Sequence, residues 1–187
     1  MRFPHRAVAR ATVRTAAAAA TLVASLGASV ALAAPSGAAV VQHPAKPVTS
    51  LASCTGATVK VTVRTEPGQR LLLTATNTGR GTCLAYGYPY LGFGDPQAPA
   101  GFIAASIPQA VVTLSPGEAA YALVHTTSTG GQYPYTAHTL SIDFANRDQR
   151  GSVGPTAHAA LPAAGVRVDD TVRTTYWQST AALALRW

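Results

Sequence analysis

The chain has 187 residues, with 14 Lys and Arg against 7 Asp and Glu, a formal net charge of +7 and a pI near 9.9. Four of the basic residues, Arg2, Arg6, Arg10 and Arg14, stand ahead of an uncharged N-terminal run, so the rest of the chain carries 10 minus 7, or +3. Those ten are scattered singly along the sequence. They form no cluster in the sequence that could follow phosphates, which excludes nucleic-acid binding as an expected function.

The N-terminal segment has the three-part layout of a secretory signal peptide. After the basic start, residues 15–34 carry no charge, and Ala31-Leu32-Ala33 fits the small-x-small cleavage rule. We therefore predict a signal peptide over residues 1–33, a secreted or cell-envelope location, and no integral membrane span after cleavage. The alternative is an uncleaved anchor, which the alanine content and Gly27 disfavour because a span needs about 20 predominantly apolar residues.

Residues 34–53 are rich in Ala, Pro and Ser without a helical or strand period, which predicts a flexible linker before a folded domain over residues 54–187. Cys54 and Cys83 are the only two cysteines, and export favours one intramolecular disulfide between them. The stretch Leu51-Ala52-Ser53-Cys54 also resembles a lipobox. Residues 35–50 separate it from the apolar segment of the leader, so acylation of Cys54 is the less favoured alternative.

Within the domain, apolar residues recur with a period of two in short segments separated by Gly and Pro, which predicts an all-β fold. The predicted strands are residues 58–64, 70–76, 111–114, 118–126, 138–144 and 181–187. The turn Ser115-Pro116-Gly117 is expected to join the third and fourth as antiparallel neighbours. Because no helix is predicted to cover a sheet, two sheets must bury each other. The sequence predicts a single-domain, immunoglobulin-like antiparallel β-sandwich with one disulfide.

Four short motifs resemble those of a known family. They are Asn77-Thr78-Gly79, Thr82-Cys83-Leu84, Gly87-Tyr88-Pro89 and the run from Leu114 to Tyr121. In this order they resemble the secreted actinobacterial proteins of a family known as domain of unknown function 4232. The likeness covers residues 54–144, and the second cysteine pair that many members carry near the C-terminus is missing here. The resemblance implies an envelope or extracellular location and a sandwich fold, and it implies no activity.

Two histidines offer one arrangement that could attract a metal ion. If the fourth and fifth predicted strands pair as a hairpin, the register that sets Leu123 opposite Leu140 also sets His125 opposite His138. Two imidazoles could ligate Zn or Cu, but a structural Zn site takes four ligands and no cysteine is left to complete one. A metal-binding or hydrolytic domain using His125 and His138 is therefore an alternative, and no cofactor is expected.

Patterns typical of catalysis are sparse in this sequence. It has no Gly-x-Ser-x-Gly elbow, and its only two thiols are expected to be paired. Asp169 and Asp170 form the only close carboxylate pair, and adjacent side chains on an extended chain point to opposite faces. The loop Gly79-Arg80-Gly81 lacks the strand-to-helix context of a phosphate site. We therefore predict no catalytic residues and no enzyme activity.

The tripeptide Tyr-Pro-Tyr occurs twice, at residues 88–90 and 133–135. Tyrosine offers a flat apolar surface with a polar tip, which suits sugar rings or a protein partner. Tyr133 and Tyr135 fall within residues 127–137, which predict an exposed hairpin loop. Residues 77–94 predict a glycine-rich corner of the fold, where Tyr86, Tyr88 and Tyr90 either pack on the disulfide or join the surface of the other pair.

Taken together, these features predict an exported, non-catalytic envelope or extracellular module that binds an extracellular protein or a glycan through its loops. The candidate binding residues are Tyr133, Tyr135, Tyr88 and Tyr90. A purely structural envelope protein without a ligand is the further alternative.

Overall fold

The structure is a computed structural model that describes residues 51–95 and 99–187. The predicted signal peptide over residues 1–33 and residues 34–50 of the predicted linker lie outside the described residues. The last part of that linker, Ala52–Ser53, forms a strand that pairs with the one beginning at Cys83. The linker prediction is therefore too long at its C-terminal end.

The described residues form twelve β-strands and one short α-helix, which confirms a mostly β fold. The strands are β1 (Ala52–Ser53), β2 (Val59–Glu66), β3 (Arg70–Asn77), β4 (Cys83–Phe93), β5 (Gly101–Phe102), β6 (Val112–Leu114), β7 (Ala119–His125), β8 (Tyr135–Ala137), β9 (Thr139–Ala145), β10 (Ser152–Ala160), β11 (Val166–Val168) and β12 (Arg173–Thr174). The helix is α1 (Ala181–Ala184). Five of the six predicted strands are present, because a period of two with one buried face is a strong strand signal.

The strands form two five-stranded sheets and one small pair. Sheet 1 has the order β1-β4-β9-β10 with β6 also on β4, sheet 2 has the order β2-β3-β7-β12-β5, and β8 pairs with β11. Two contacts are parallel, β1 with β4 and β5 with β12, so the prediction of a wholly antiparallel arrangement is wrong there. Each parallel pair is joined through several intervening elements, and no tight hairpin turn forces its strands to run antiparallel.

The two sheets meet along one edge, where β2 lies beside β10. The amide of Gly56 donates a hydrogen bond to the Pro155 carbonyl at 2.9 Å across this edge, and the strands continue from one sheet to the other as a curled half-barrel. The core lies inside the curl and includes Trp177, whose ring stacks on Phe144 with centroids 5.6 Å apart. A second, smaller apolar cluster forms on the outer face of sheet 2, under α1.

Two predicted strand pairings are wrong. Strand β7 pairs with β3 and β12, while β9 pairs with β4 and β10, so the hairpin predicted between β7 and β9 does not form. The connection between them leaves sheet 2 and contributes β8 to the small pair with β11, so β9 enters the other sheet. Similarly, the turn at residues 115–117 joins β6 in sheet 1 to β7 in sheet 2.

The prediction of a strand at residues 181–187 is also wrong, because Ala181–Ala184 forms α1. The hydroxyl of Thr180 accepts a hydrogen bond from the Leu183 amide and caps the first turn. Ala and Leu are strong helix formers, and their alternation in this stretch is equally compatible with a strand. Burial decides between the two, since Ala184 packs on Leu72 and Leu123 of sheet 2.

The predicted disulfide between Cys54 and Cys83 is confirmed, and it ties the residue after β1 to the start of β4. The prediction of a glycine-rich corner over residues 77–94 is correct only for its first part. Residues 83–93 form β4, an 11-residue strand, because their inward positions are filled by apolar side chains such as Leu91 and Phe93. The glycines and Pro89 that suggest a turn instead mark an irregularity within this strand.

Candidate functional site

The irregularity in β4 is a bulge between Tyr86 and Tyr90. Tyr86 pairs with Ala145 of β9 and Tyr90 with Asp143, so β4 holds two more residues than its partner between these points. Gly87 adopts a φ of 58°, which favours glycine. Pro89 has no amide hydrogen to donate, and its place in the bulge removes no ladder hydrogen bond.

The bulge separates the three tyrosines of β4. Tyr86 is buried at 8% exposure, whereas Tyr88 and Tyr90 lie on the outward side and are half-buried. Tyr88 stacks on Phe102 of β5 with ring centroids 4.3 Å apart and planes 16° apart. The rings of Tyr90 and Tyr176 meet Tyr88 edge to face at 5.2 and 5.3 Å.

We call these four residues the aromatic cluster: Tyr88, Tyr90, Phe102 and Tyr176. None of them belongs to the two buried apolar clusters of the domain. Phe102 is 46% exposed, and since one face of its ring is covered by Tyr88, the opposite side is accessible to solvent. The cluster therefore presents aromatic surface that is held in place by its own ring contacts.

The hydroxyl groups of Tyr88 and Tyr90 are held in their neutral form. Burial, followed by the charges of the neighbouring tyrosines, raises the pKa of Tyr88. Burial, followed by Asp148 and Tyr176, raises the pKa of Tyr90. Of the three tyrosines in the cluster, only Tyr90 donates its hydroxyl to a described residue, the Gln149 carbonyl at 3.2 Å. The cluster thus combines apolar faces with hydroxyls that can donate and accept hydrogen bonds.

The turn between β9 and β10 fixes one side of the cluster. The Asn146 amide donates to the Gly151 carbonyl at 2.8 Å and closes this turn. The side chain of Gln149 lies against Gly87, where an added Cβ would come within 2.9 Å of its Oε1 atom. The absence of a side chain at Gly87 lets this turn approach β4 and meet Tyr90.

The other tyrosine pair lies elsewhere. Tyr133 is 84% exposed and has a φ of 52°, while Tyr135 begins β8 and donates a hydrogen bond from its hydroxyl to the Phe93 carbonyl at 3.0 Å. Burial raises the pKa of Tyr135. No ring contact joins either residue to the aromatic cluster within the part of the chain that the structure describes.

Asp169 and Asp170 hold the segment that carries Tyr133. The Gln132 amide donates to Asp170 Oδ1 at 2.6 Å, and the carboxylate of Asp169 leaves no room for a Cβ at Gly131. Burial would raise the pKa of Asp169, but hydrogen bonds from Thr171 and from the Ser128 backbone, with the charge of Arg167, hold it below its usual value. Both carboxylates therefore contact the loop that carries Tyr133. Their role in holding this loop is enough to explain why the two aspartates lie here.

The two candidate metal-binding histidines do not face each other across a hairpin. His125 lies at the end of β7 opposite Arg70 and Arg173, and its Nε2 atom is 3.0 Å from the Trp187 carbonyl oxygen. His138 is exposed beside Gly165, between β8 and β9. Over residues 51–95 and 99–187, no group of three or more His, Cys, Asp or Glu side chains is arranged to hold a metal ion.

A family model described as Domain of unknown function (DUF4232) matches residues 54–178. The chain belongs to this family. The match confirms the likeness seen in the four motifs and extends it beyond residue 144 to Gln178. It therefore includes all four members of the aromatic cluster. No curated protein and no solved structure matches the chain.

Within this DUF4232 domain, the Asn-Thr-Gly and Ser-Pro-Gly motifs form two turns that are linked by hydrogen bonds. Asn77 is buried at 1% exposure, and its side-chain amide donates to the carbonyls of Leu114 at 2.8 Å and Gly81 at 2.9 Å. Its Oδ1 atom accepts from the Gly79 amide at 2.9 Å. The Asn-Thr-Gly turn is thus bonded to the start of the Ser-Pro-Gly turn. In the described residues, no helix is both long and apolar enough to cross a bilayer.

Phe102 and Tyr176 of this DUF4232 domain are not among the binding residues predicted from the sequence. Phe102 lies in a two-residue strand beyond a short stretch without strand periodicity, and Tyr176 follows the equally short β12. The two residues meet only because β5 pairs with β12, at a sequence separation that no local pattern reveals. The one signal in the sequence that could have pointed to these two residues is their residue type. They are aromatic residues outside the clearly predicted strands, where no core is predicted to bury them.

Proposed function

We propose that this protein is an exported, non-catalytic module of the envelope or extracellular space that binds a glycan, or else a protein partner, through the aromatic cluster. The main observation in support of this proposal is that four aromatic side chains from three separate segments contact each other outside the buried core. We also propose that the two sheets pack as an immunoglobulin-like sandwich. The alternation of buried and exposed side chains in β2 and β9 supports that packing.

The chemistry of the cluster favours a sugar as its ligand. The accessible side of the Phe102 ring is flat and apolar, and such a ring packs well against the C–H face of a pyranose. The neutral hydroxyls beside it can bond sugar hydroxyls in either direction. Because the rings are already ordered by their mutual contacts, a ligand would lose little affinity to the ordering of side chains.

Export is supported by two features of the chain. The first 33 residues have the composition of a signal peptide, and the two cysteines form a disulfide of a kind that is rare in reducing compartments. Thiol labelling of the protein recovered from its host tests this part of the proposal. We expect no labelling until a reductant is added, whereas labelling of the untreated protein would contradict the proposed compartment.

The binding proposal is tested by a pull-down on insoluble cell-wall glycan. We expect the double variant Phe102→Ala/Tyr176→Ala to lose most of the retention of the wild type, because it removes the exposed Phe102 ring and the half-buried Tyr176 ring beside it. The matched control is Ile107→Ala, which removes another exposed apolar side chain outside the cluster. Thermal unfolding of each variant verifies that the fold is retained.

The same assay separates the alternatives. Loss of retention in Tyr133→Ala/Tyr135→Ala, with no loss in the cluster variant, would place the binding site at the loop that carries Tyr133 and Tyr135. Retention of all variants at the wild-type level, or of none including the wild type, would overturn glycan binding by these aromatic residues. Zinc titration of the wild type and of His125→Ala tests the metal-binding alternative, which predicts heat that depends on His125.

A further inference from the structure

Two arginines and a histidine stand in a row across the outer face of sheet 2. Arg70 of β3 is directly opposite His125 of β7, and His125 is directly opposite Arg173 of β12. Directly opposed residues share a face and have Cβ atoms about 4.5–5.5 Å apart. We call Arg70, His125 and Arg173 the cationic row. Although sequence analysis finds the basic residues scattered, strand pairing brings these together.

The same face carries a net positive charge. Lys60 and Arg64 alternate outward along β2, next to the row, and Glu66 is the one carboxylate at these positions. Four Lys and Arg against one Glu give this face +3. The whole of residues 54–187 carries 9 Lys and Arg against 7 Asp and Glu, or +2. The rest of the domain holds the other five Lys and Arg against six carboxylates, or −1, so the net positive charge lies on this face.

Protein groups leave most of this charge uncompensated. The one ion pair within 4.0 Å among the described residues joins Arg64 Nε to Glu66 Oε1 at 2.6 Å. Glu66 is also directly opposite Arg70 in the pairing of β2 with β3, so its carboxylate offsets part of the charge of both arginines. Arg70 donates only its Nε–H, to the Pro67 carbonyl at 2.9 Å, which leaves its terminal amino groups available. Arg173 is exposed and makes no side-chain hydrogen bond to a described residue.

Arg70 and Arg173 flank His125, and their charges act on its ring. Burial lowers the pKa of His125, the bond to the Trp187 backbone oxygen raises it, and Arg70 and Arg173 lower it further. An anion bound at the row would offset the charges of the two arginines and favour protonation of His125. An Arg guanidinium group donates two parallel hydrogen bonds to the oxygens of a phosphate or a carboxylate.

The surroundings of the row suit an elongated ligand better than they suit contact with a flat membrane surface. On one side α1 rises from the sheet, packed on Leu72 and Leu123, which lie two residues along the strands from Arg70 and His125. On the other, Arg70 borders a cleft of about 290 Å³ that Arg167 also lines. A helix standing beside the row obstructs contact with a planar bilayer, whereas a linear chain could run along the row.

We propose that the cationic row is a binding site for the phosphate groups of a linear polyanion. This inference is independent of the aromatic cluster and goes beyond the proposed glycan binding. The ligand is defined by its chemistry, which is an extended chain with repeated phosphate groups. Such a chain can occupy Arg70 and Arg173 together and place negative charge on His125.

Calorimetric titration of the purified protein with linear sodium polyphosphate tests the proposal. We expect Arg70→Gln/Arg173→Gln to lower the association constant at least about 10-fold, because two charge-assisted phosphate contacts are lost. The matched control Arg80→Gln/Arg150→Gln removes the same charge from exposed positions off this face and should change binding less than about 2-fold. If the double variant fails to fold, Arg173→Gln alone carries the test, with an expected loss of about 3-fold.

A second readout follows the imidazole of His125 by NMR as a function of pH. Bound polyphosphate should raise the pKa of His125, since a nearby anion favours the charged ring. An equal loss of affinity in the row and control variants would overturn the proposal, because net charge alone would then explain binding. Binding to phosphatidylglycerol vesicles without binding to polyphosphate would also overturn it, in favour of a membrane surface.

Discussion

At the scale of single residues, Asn77 shows how the Asn-Thr-Gly motif can have a purely structural role. Its buried side chain uses both amide hydrogens and its oxygen, and it bonds the turn after β3 to the end of β6 in the other sheet. Asparagine fits because it offers donors and an acceptor without a charge. The motif needs no ligand to explain it.

Replacement of Asn77 by Ala should lower the free energy of unfolding by about 2–3 kcal/mol. The variant leaves the Leu114 carbonyl buried without its partner and frees the Gly79 amide. Urea denaturation measures the loss. Thr113→Ala, an exposed position on β6, is the control and should change stability by no more than about 0.5 kcal/mol. Equal stability of Asn77→Ala and the wild type would show that these bonds do not hold the turns.

At the scale of elements, strand β4 determines where the candidate site lies. Its bulge keeps Tyr86 in the core and places Tyr88 and Tyr90 beside β5 and the turn after β9. Gly87 permits the bulge through its positive φ and its close approach to Gln149. The geometry of the aromatic cluster therefore depends on a residue that contributes no side chain to it.

We expect Gly87→Ala to destabilise the domain by about 1–2 kcal/mol, because an L-residue is strained at this φ. Gly81→Ala is the matched control, since its φ is not positive and an added Cβ would meet no atom within 4 Å. Chemical denaturation compares the two variants. A stability of Gly87→Ala equal to that of Gly81→Ala would contradict the bulge geometry.

The disulfide acts between elements by closing a loop of 29 residues between Cys54 and Cys83. The double variant Cys54→Ala/Cys83→Ala should lose about 3–4 kcal/mol of stability, chiefly through the freedom regained by the unfolded chain. The same variant measured in reductant serves as the control, because reductant should then have no further effect. An unchanged unfolding midpoint relative to the oxidised wild type would contradict a structural role for this bond.

Local signals in the sequence predict many elements of this fold but few of their contacts. Alternation identifies β2 and β9 because each has one buried face. It fails for β4, whose Gly and Pro residues are typical of turns and here form a bulge. It also fails for α1, where burial against sheet 2 selects a helix.

The candidate site was predictable only in part, for the same reason. The paired tyrosines of residues 88–90 are visible as a repeated tripeptide, whereas Phe102 and Tyr176 join them through the parallel pairing of β5 with β12. The cationic row likewise depends on the register of three strands that are distant in sequence. Pairings of this kind are set by the global packing, which no short window contains.

At the scale of the whole molecule, two surfaces stand out from an otherwise ordinary β domain. The aromatic cluster presents ring surface that the core does not use, and the outer face of sheet 2 collects positive charge. In the part of the chain that the structure describes, no group of three or more His, Cys, Asp or Glu side chains is arranged to hold a metal ion. We propose that both surfaces bind ligands at or beyond the envelope.

The most direct test of binding through the aromatic cluster is the aromatic NMR spectrum during titration with solubilised cell-wall glycan. We predict that the ring signals of Phe102 and Tyr176 shift in proportion to the bound fraction. The methyl signals of Ile107, an exposed apolar residue outside the cluster, should stay in place. Shifts confined to Tyr133 and Tyr135, or no shift of any ring at saturating glycan, would contradict the account.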